Sequence, residues 1–490
     1  MYKAKQMVRV LAKGGILSPI DMLRILETVK SVGRNHVHFG SRQDLLFEVK
    51  KKYMDQVNTA FKSIHTDYEI HGLKCKKSQN IVSSYVAADI SASTSWLISG
   101  NYLNILEHFK SLHTLRINIA DPRQNLVPLF YGQLNFIASN FKDYWYLYIR
   151  KNEENKPERW PVLIYCDDIA KISGAIEDKW IDYEGHGLTK LFEIVQTIAN
   201  YNWRNIENDL TLEITTPQDY EGFGKMHNSQ NYWAGFYWRN NCYDVPFLEE
   251  LCQLCLNTGI SKICFTPWKS ILIKELQEKD LLKWHKLLGR FGINMRHSSF
   301  ELNWHIPLND RKALKLKQFI VKEFDKVDVC VHGLTLGIRT RPEISFCSIQ
   351  IERKPLISLW GLFDLFVNYR ILFAKHFNAN TCEYEEFAPQ VSKYHLQREL
   401  QALTKKFYAQ LLKTNDTHSD PVKKRQTEDI TAFQCPYCLS VYDEKSGDTF
   451  RGIPENTKFA LLPDTYCCPV CDTPKVEFKA ISFNKLKEAV

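Results

Sequence analysis

The sequence predicts an α+β protein built as two similar halves, followed by a helical segment and a small metal-binding module. Three observations predict it: a helix–strand layout that returns at one fixed offset, a charged stretch almost without apolar residues, and two Cys-x-x-Cys pairs beyond that stretch.

The layout begins at Pro19 to Val32, where Ile20, Leu23, Leu26 and Val29 recur three residues apart after Ser18, a residue suited to cap a helix N-terminus. The helix is predicted to end near Gly33. Asn35 to Phe39 then reads as a short strand, Ser41-Arg42-Gln43-Asp44 as a turn or helix start, and Leu45 to Val49 as a further strand. The same order returns 226 residues later: Leu248, Leu251, Cys252 and Cys255 fall where Met22, Ile25, Leu26 and Val29 fall, Gly259 matches Gly33, Ile263 matches Val37, Phe265 matches Phe39 and Leu272 matches Leu46. A shared glycine and a shared apolar pattern at one offset argue for duplication. The parallel is expected to continue, with Tyr102 to Phe109 leading into the strand Thr114 to Ile119 as Leu314 to Phe324 leads into Val327 to Val331. Each half then closes on an apolar strand, Tyr144 to Ile149 and Ser345 to Ile351, with the halves joined around Gly185 to Asn205.

At 490 residues with 44% hydrophobic content the chain can bury several cores, about three or four domains by length. Met1 to Gly15 is basic without a continuous apolar run, and no stretch of about eighteen uncharged apolar residues occurs, so a cytoplasmic location and no membrane partner are expected. The net charge of +8 is spread along the chain and carries no motif for reading nucleic acid. From about Leu356 to Leu412 the pattern reads as mainly helical. Thr414 to Asp429, with Pro421 and Lys423-Lys424-Arg425, reads as a linker.

Of the 14 cysteines, nine are scattered between Cys75 and Cys382 and five crowd between Cys435 and Cys471. The crowd contains Cys435-Pro436-Tyr437-Cys438, then 29 residues, then Cys468-Pro469-Val470-Cys471. Each Cys-x-x-Cys is expected to form a tight knuckle with backbone N–H groups aimed at sulfur, and two facing knuckles make a tetrahedral four-thiolate cage that suits ferric and ferrous iron, and also zinc. No coordination position stays open, so such a metal exchanges electrons without binding a substrate. Cys467 reads as a packed thiol, and Cys252 and Cys255 as core residues of the repeat helix.

The module resembles the rubredoxins over about fifty residues, the spacing between knuckles included. It keeps Tyr442-Asp443, Gly452, Phe459, Leu462-Pro463-Asp464 and Tyr466, whose aromatics in that family form a small core around the metal. It departs in Leu439 and Ser440, where glycine and tyrosine are usual, and in Asp472, where glycine is usual. The resemblance implies one iron atom, cycling between ferric and ferrous, held by Cys435, Cys438, Cys468 and Cys471.

The body resembles the siroheme-dependent nitrite and sulfite reductases through Gly15-Ile16-Leu17-Ser18-Pro19, Leu23-Arg24-Ile25, Val37-His38-Phe39, Ser41-Arg42-Gln43-Asp44, Asn80-Ile81-Val82 and the stretch to Leu134-Asn135-Phe136. The resemblance implies duplicated ferredoxin-like half-domains and a pocket where Arg and Lys side chains grip the eight carboxylates of siroheme. Arg42 stands where one such arginine is expected, or is a surface or salt-bridged arginine. Arg116 is a substitute candidate, and His38 and Lys269 complete the vestigial pocket. His36 and His38 alternate on a strand, so one of them is expected to face it. Gln79 replaces an expected arginine, Trp268-Lys269 replace the arginine–glutamine pair of the first half, and Ser83 and Ser84 lie where a cysteine often stands. The cysteine spacings that hold the bridging four-iron cluster are missing from the body, so siroheme and cluster are both expected to be absent.

The domains expected are therefore 1–75 and 206–292 as ferredoxin-like halves, 76–205 and 293–355 as reductase-like α+β domains, 356–412 as the helical segment, 413–431 as linker and 432–482 as the rubredoxin domain. The function expected is single-electron transfer, with no independent catalysis, by a module whose retired body docks to a nitrite, sulfite or nitrate reductase in nitrogen or sulfur assimilation and receives electrons from an upstream donor. The alternatives are an active siroheme enzyme fed by its own rubredoxin, and a zinc-stabilised interaction protein.

Overall fold

The computed structural model describes residues 5–64, 66–70, 78, 80–90, 93–111, 113–151, 156–212, 220–227, 229–293, 304–308, 310–327, 329–340, 346–359, 363–417, 431–438, 440–444, 447–448 and 451–482. The chain divides into two compact units, Met1–Ala409 and Gln410–Val490.

The repeat is present in three dimensions. Helix Pro19–Ser31 and helix Val245–Asn257 start and stop 226 residues apart. In the first, Ser18 accepts from the Asp21 amide at 3.0 Å and so satisfies one of the orphan donors of the helix start. Its buried face is Met22, Ile25, Leu26 and Val29; Ile20 is 49% exposed, because a 3.6-residue period carries it off that stripe. Leu248, Leu251, Cys252 and Cys255 are fully buried in the second helix, and both helices share one hydrophobic core.

Each half builds a five-stranded sheet, and the two sheets exchange an edge. Tyr243–Asp244 of the second half pairs with His36–Phe39 of the first, while Ile16–Leu17 of the first pairs with Ile263–Phe265 of the second. At the centre Phe39 stacks on its counterpart Phe265, ring centroids 4.7 Å apart. Carboxamides then lock the exchange from both sides. Asn241 accepts from the Phe39 amide at 2.8 Å and donates to its carbonyl at 2.7 Å. Gln43 donates to the Phe265 carbonyl at 2.9 Å and brackets Ser83, donating to its carbonyl at 3.0 Å and accepting from its amide at 2.9 Å. Gly15 has a φ of 75°, and a Cβ there would lie 2.5 Å from the Gln43 side chain, so glycine makes room for this lock. Its counterpart Asn241 holds the same left-handed conformation, φ 55°, and supplies the second lock with its own side chain.

Two further α/β sheets follow one plan. Ile81–Ser83, Ile117–Ala120 and Leu134–Ala138 run parallel, with Tyr144–Ile149 antiparallel beside them. Likewise Trp304–His305, Leu336–Arg339 and Ile349–Leu359 run parallel, with Phe363–Ala374 and Tyr384–Val391 antiparallel. The counterpart of Ile349–Leu359 is thus Leu134–Ala138, not Tyr144–Ile149. The strand expected at Val327 to Val331 lies instead at Leu336–Arg339. Ahead of the α-helix Leu396–Thr417, the expected helical segment 356–412 is largely sheet, because its aromatic and β-branched residues prefer the pleated surface. That helix runs into the expected linker, whose residues 418–430 lie outside the described ones. Helix Trp180–Ile198, expected to join the halves, packs Leu191 and Val195 into the core of the first α/β sheet.

Replacing Asn241 with alanine strands the amide and the carbonyl of Phe39 in a buried place and leaves a Cβ residue in left-handed backbone. A loss of about 3 kcal/mol is expected, read as a lower urea midpoint for the body.

Candidate metal centre and the clefts of the body

Thr431–Gln434 pairs with both Val441–Tyr442 and Lys479–Ser482, and this small sheet carries the first knuckle at its end. The two knuckles close alike. Cys435 donates its N–H to the Ser440 carbonyl at 2.9 Å, and Cys468 does the same to Thr473 at 2.8 Å. Among the described residues, Cys435, Cys438, Cys468 and Cys471 form the only group able to hold a metal ion, with all four sulfurs within 4.8 Å of one another. Cys435 and Cys471 lie 3.5 Å apart, and Cys438 and Cys468 3.4 Å apart. A tetrahedron with metal–sulfur bonds of about 2.3 Å has edges of about 3.8 Å, so the cage is the right size for one ion.

The electrostatics point the same way. At Cys435 burial disfavours the thiolate, but the Cys438 amide, the Thr473 hydroxyl and the Tyr437 amide outweigh it and bring the thiol down to about 6. At Cys471 the Thr473 hydroxyl and amide favour the thiolate, yet desolvation and the neighbouring sulfurs of Cys438 and Cys435 together prevail and push the thiol up to about 11. Four thiols this close cannot all ionise unaided, and a cation among them displaces the remaining protons. Cys435 and Cys468 are buried, whereas Cys471 is exposed beside the uncovered Tyr437 and Val470 of the knuckle tips. Cys467 takes no part; its thiol faces the Thr465 carbonyl at 3.6 Å. Behind the cage Tyr442, Phe459, Leu462 and Tyr466 are buried together, Phe433 stacks on Phe459 at 3.9 Å, and Tyr466 donates to Asp448 at 2.9 Å.

In the body the sequence-derived candidates separate. Arg42 is 6% exposed and spends every N–H on protein oxygen. Nε donates to Asn80 Oδ1 at 2.8 Å and Nη2 to the carbonyls of Asn80 at 3.0 Å and Ile117 at 2.9 Å, while Nη1 donates to Asn118 Oδ1 and, at 3.4 Å, to the Tyr131 carbonyl. Nothing is left over for a cofactor carboxylate: Arg42 sews the Gly40–Asp44 turn to the first α/β sheet. Arg116 is half-buried, lies close enough to depress the Arg42 charge further after burial has done so, and does not line the cleft described next.

His38 and Lys269 do come together, in a cleft of about 380 Å³ that also takes in Trp268, Trp304, Arg311 and Lys317. His38 donates from Nδ1 to the Asn241 carbonyl, which leaves Nε2 as an acceptor, and burial lowers its basicity. His36 turns away to Asp244, 2.6 Å from its carboxylate. Lys269 is buried and donates to the Ile306 carbonyl. Sequence reasoning missed Lys317, though it carries a signal: a lysine stands among Ala313, Leu316, Ile320 and Phe324 on the buried face of helix Arg311–Phe324. Ser83 and Ser84 are both committed, Ser83 to the Gly14 carbonyl at 2.7 Å and Ser84 to the Tyr102 hydroxyl at 2.8 Å. Gln79 lies outside the described residues.

Comparison with known proteins assigns the C-terminal module. The Rubredoxin family matches residues 432–478. The probable rubredoxin HupI of Bradyrhizobium diazoefficiens is 41% identical over 58 residues, 12% of this chain and 84% of that protein. The chain belongs to the rubredoxin family. Probable Rubredoxin-2 of Methanocaldococcus jannaschii is similar too, 43% identical over 53 residues, 11% of this chain and 94% of that protein. The structure of the Mycobacterium tuberculosis NirA protein superposes with a TM-score of 0.62, covering 81% of this chain and 80% of that one at 13% identity. A rubredoxin module is thus fused to a body with a NirA-like fold, and at that identity the likeness extends to fold alone.

Two departures from the rubredoxin pattern acquire reasons. Asp472 holds a φ of 55°, the conformation that glycine supplies elsewhere in the family, and its carboxylate accepts from Arg451 at 2.7 Å. Ser440 places its hydroxyl 3.0 Å from the Cys468 sulfur and 3.2 Å from the Cys438 sulfur. Leu439 lies outside the described residues. Exchanging Arg42 for lysine leaves several buried oxygens without a donor and is expected to cost about 2–4 kcal/mol of body stability by chemical denaturation, with the visible spectrum of the rubredoxin module unchanged.

Proposed function

We propose that this protein is a single-electron carrier that holds one iron atom through Cys435, Cys438, Cys468 and Cys471, and that its NirA-like body is a retired reductase scaffold that docks to a partner redox enzyme. The observation that carries the reading is the closed cage of four sulfurs within 4.8 Å. Iron in such a cage supplies one-electron exchange between its ferric and ferrous states. The chain's own part is to keep four thiolates in nearly one geometry through both states, with the amides of Tyr437 and Cys438 directed at Cys435 and those of Val470 and Cys471 at Cys468. These donors temper the negative charge of the cage, and the exposed Cys471 brings sulfur to the surface where an electron enters or leaves.

Two observations support a body without siroheme chemistry. Arg42, the family's expected carboxylate clamp, has its donors consumed within the protein. The cleft with His38 and Lys269 offers three longer basic side chains, Lys269, Arg311 and Lys317, to a cofactor that carries eight carboxylates. The residues present do not fit that group. By resemblance, the natural acceptors are nitrite, sulfite or nitrate reductases, with an upstream donor feeding the iron. Among the described residues, no helix is long and apolar enough to cross a membrane, and a cytoplasmic setting suits reduced thiols.

Purified chain should be red, with iron as its metal and thiolate-to-iron absorption; serine at Cys435 and Cys468 together should abolish both colour and metal. A colourless, zinc-loaded protein would refute the iron reading. In the iron-loaded chain, Ser440→Ala removes the single hydroxyl proton available to the Cys438 and Cys468 sulfurs and should lower the reduction potential by some tens of millivolts in a redox titration. The docking reading expects the chain to comigrate with a siroheme reductase and to speed its reduction; a monomer that accelerates no reductase contradicts it.

A further inference from the structure

The repeat sets the same turn at two places, Gly40–Asp44 and Thr266–Ser270, with Gln43 and Lys269 both left-handed at φ 57° and 65°. In the first copy Arg42 ties the turn to its sheet through Asn80, Ile117 and Asn118. In the second copy that position is Trp268, whose indole N–H goes to the Leu126 carbonyl at 3.0 Å. The second turn therefore reaches its own sheet through Lys269 and the Ile306 carbonyl, and the cleft of about 380 Å³ stays open beside it.

A concave cleft of this size is of the kind that binds small molecules. The lining states which kind. Lys269 and Lys317 are 8% and 2% exposed, and Arg311 opens the adjoining helix. The acids on the rim are engaged elsewhere. Glu48 pairs with Lys5 at 3.0 Å, and Asp310 accepts from the Ala313 amide at 2.9 Å and from the Thr340 hydroxyl. The remaining wall is rich in flat apolar rings, Tyr237, Trp268 and Trp304. Aromatic walls with a few convergent cations, in a volume inside the usual range of about 300–1,000 Å³, suit a flat ring bearing an anionic group.

We propose that this cleft binds a planar aromatic anion of mononucleotide size, its ring against the Tyr237, Trp268 and Trp304 side chains and its phosphate or carboxylate at Lys269, Arg311 and Lys317. The site belongs to the body and stands independently of the iron reading.

The test uses the full chain in calorimetric titrations with flavin mononucleotide and adenosine monophosphate, and in separate arms with riboflavin, inorganic phosphate and siroheme. One of the two nucleotides should bind once per chain, at least about tenfold tighter than riboflavin or phosphate alone. Leu314→Trp, which fills the cleft, should abolish binding. Arg311→Gln, at an exposed residue that lines the cleft, should weaken it about tenfold while the thermal midpoint and the visible band of the rubredoxin module stay in place. Failure of both nucleotides to bind, phosphate alone binding as tightly as either, binding undiminished in both variants, or stoichiometric uptake of siroheme would each overturn the proposal.

Discussion

Four sulfur atoms within 4.8 Å of one another repel as thiolates, and the C-terminal module depends on a cation to relieve that repulsion. Among the described residues its buried core is Tyr442, Phe459, Leu462 and Tyr466 with a few partly covered neighbours, a small nucleus to hold a domain of this size without a staple. Ion binding is therefore also folding energy, and the same amides that make the knuckles rigid make the thiolates tolerable. Electron transfer benefits from that rigidity, since a cage held by backbone geometry changes little between two charge states.

The body shows how one repeated scaffold can diverge by single side chains. Its centre is nearly symmetric, with Phe39 on Phe265 and a carboxamide from each half locking the other's strand end. The flanks are not. An arginine at position 42 closes the first turn onto its sheet, whereas the tryptophan at the equivalent 268 turns to the Leu126 carbonyl and leaves the tie of the second turn to Lys269. A residue that resemblance marks as a cofactor clamp thus acts as a structural tie, and the open space lies in the other copy.

The legible parts of the molecule were those encoded locally. The metal ligands are fixed by two Cys-x-x-Cys knuckles and a spacer, and the helix boundaries of the repeat by a 3.6-residue stripe with a glycine at its end. The exchanged strands Ile16–Leu17 and Tyr243–Asp244 were not legible, because two residues carry no period and their partners lie in the other half of the chain. The surroundings of Arg42 were not legible for a related reason: its acceptors come from residues 80, 117, 118 and 131, and only the folded chain brings them together. The segment after Leu356 read as helix where Phe363–Ala374 and Tyr384–Val391 form sheet, since the spaced charges that suggested a helix belong to Leu396–Thr417 alone and the pattern was extended back over the strands before it.

The most direct measurement of the central claim is a coulometric reductive titration of the full chain followed by visible absorption. The account predicts uptake of one electron per chain, accompanied by bleaching of the thiolate-to-iron colour. Uptake of several electrons with a tetrapyrrole band, or of none at all, would contradict it.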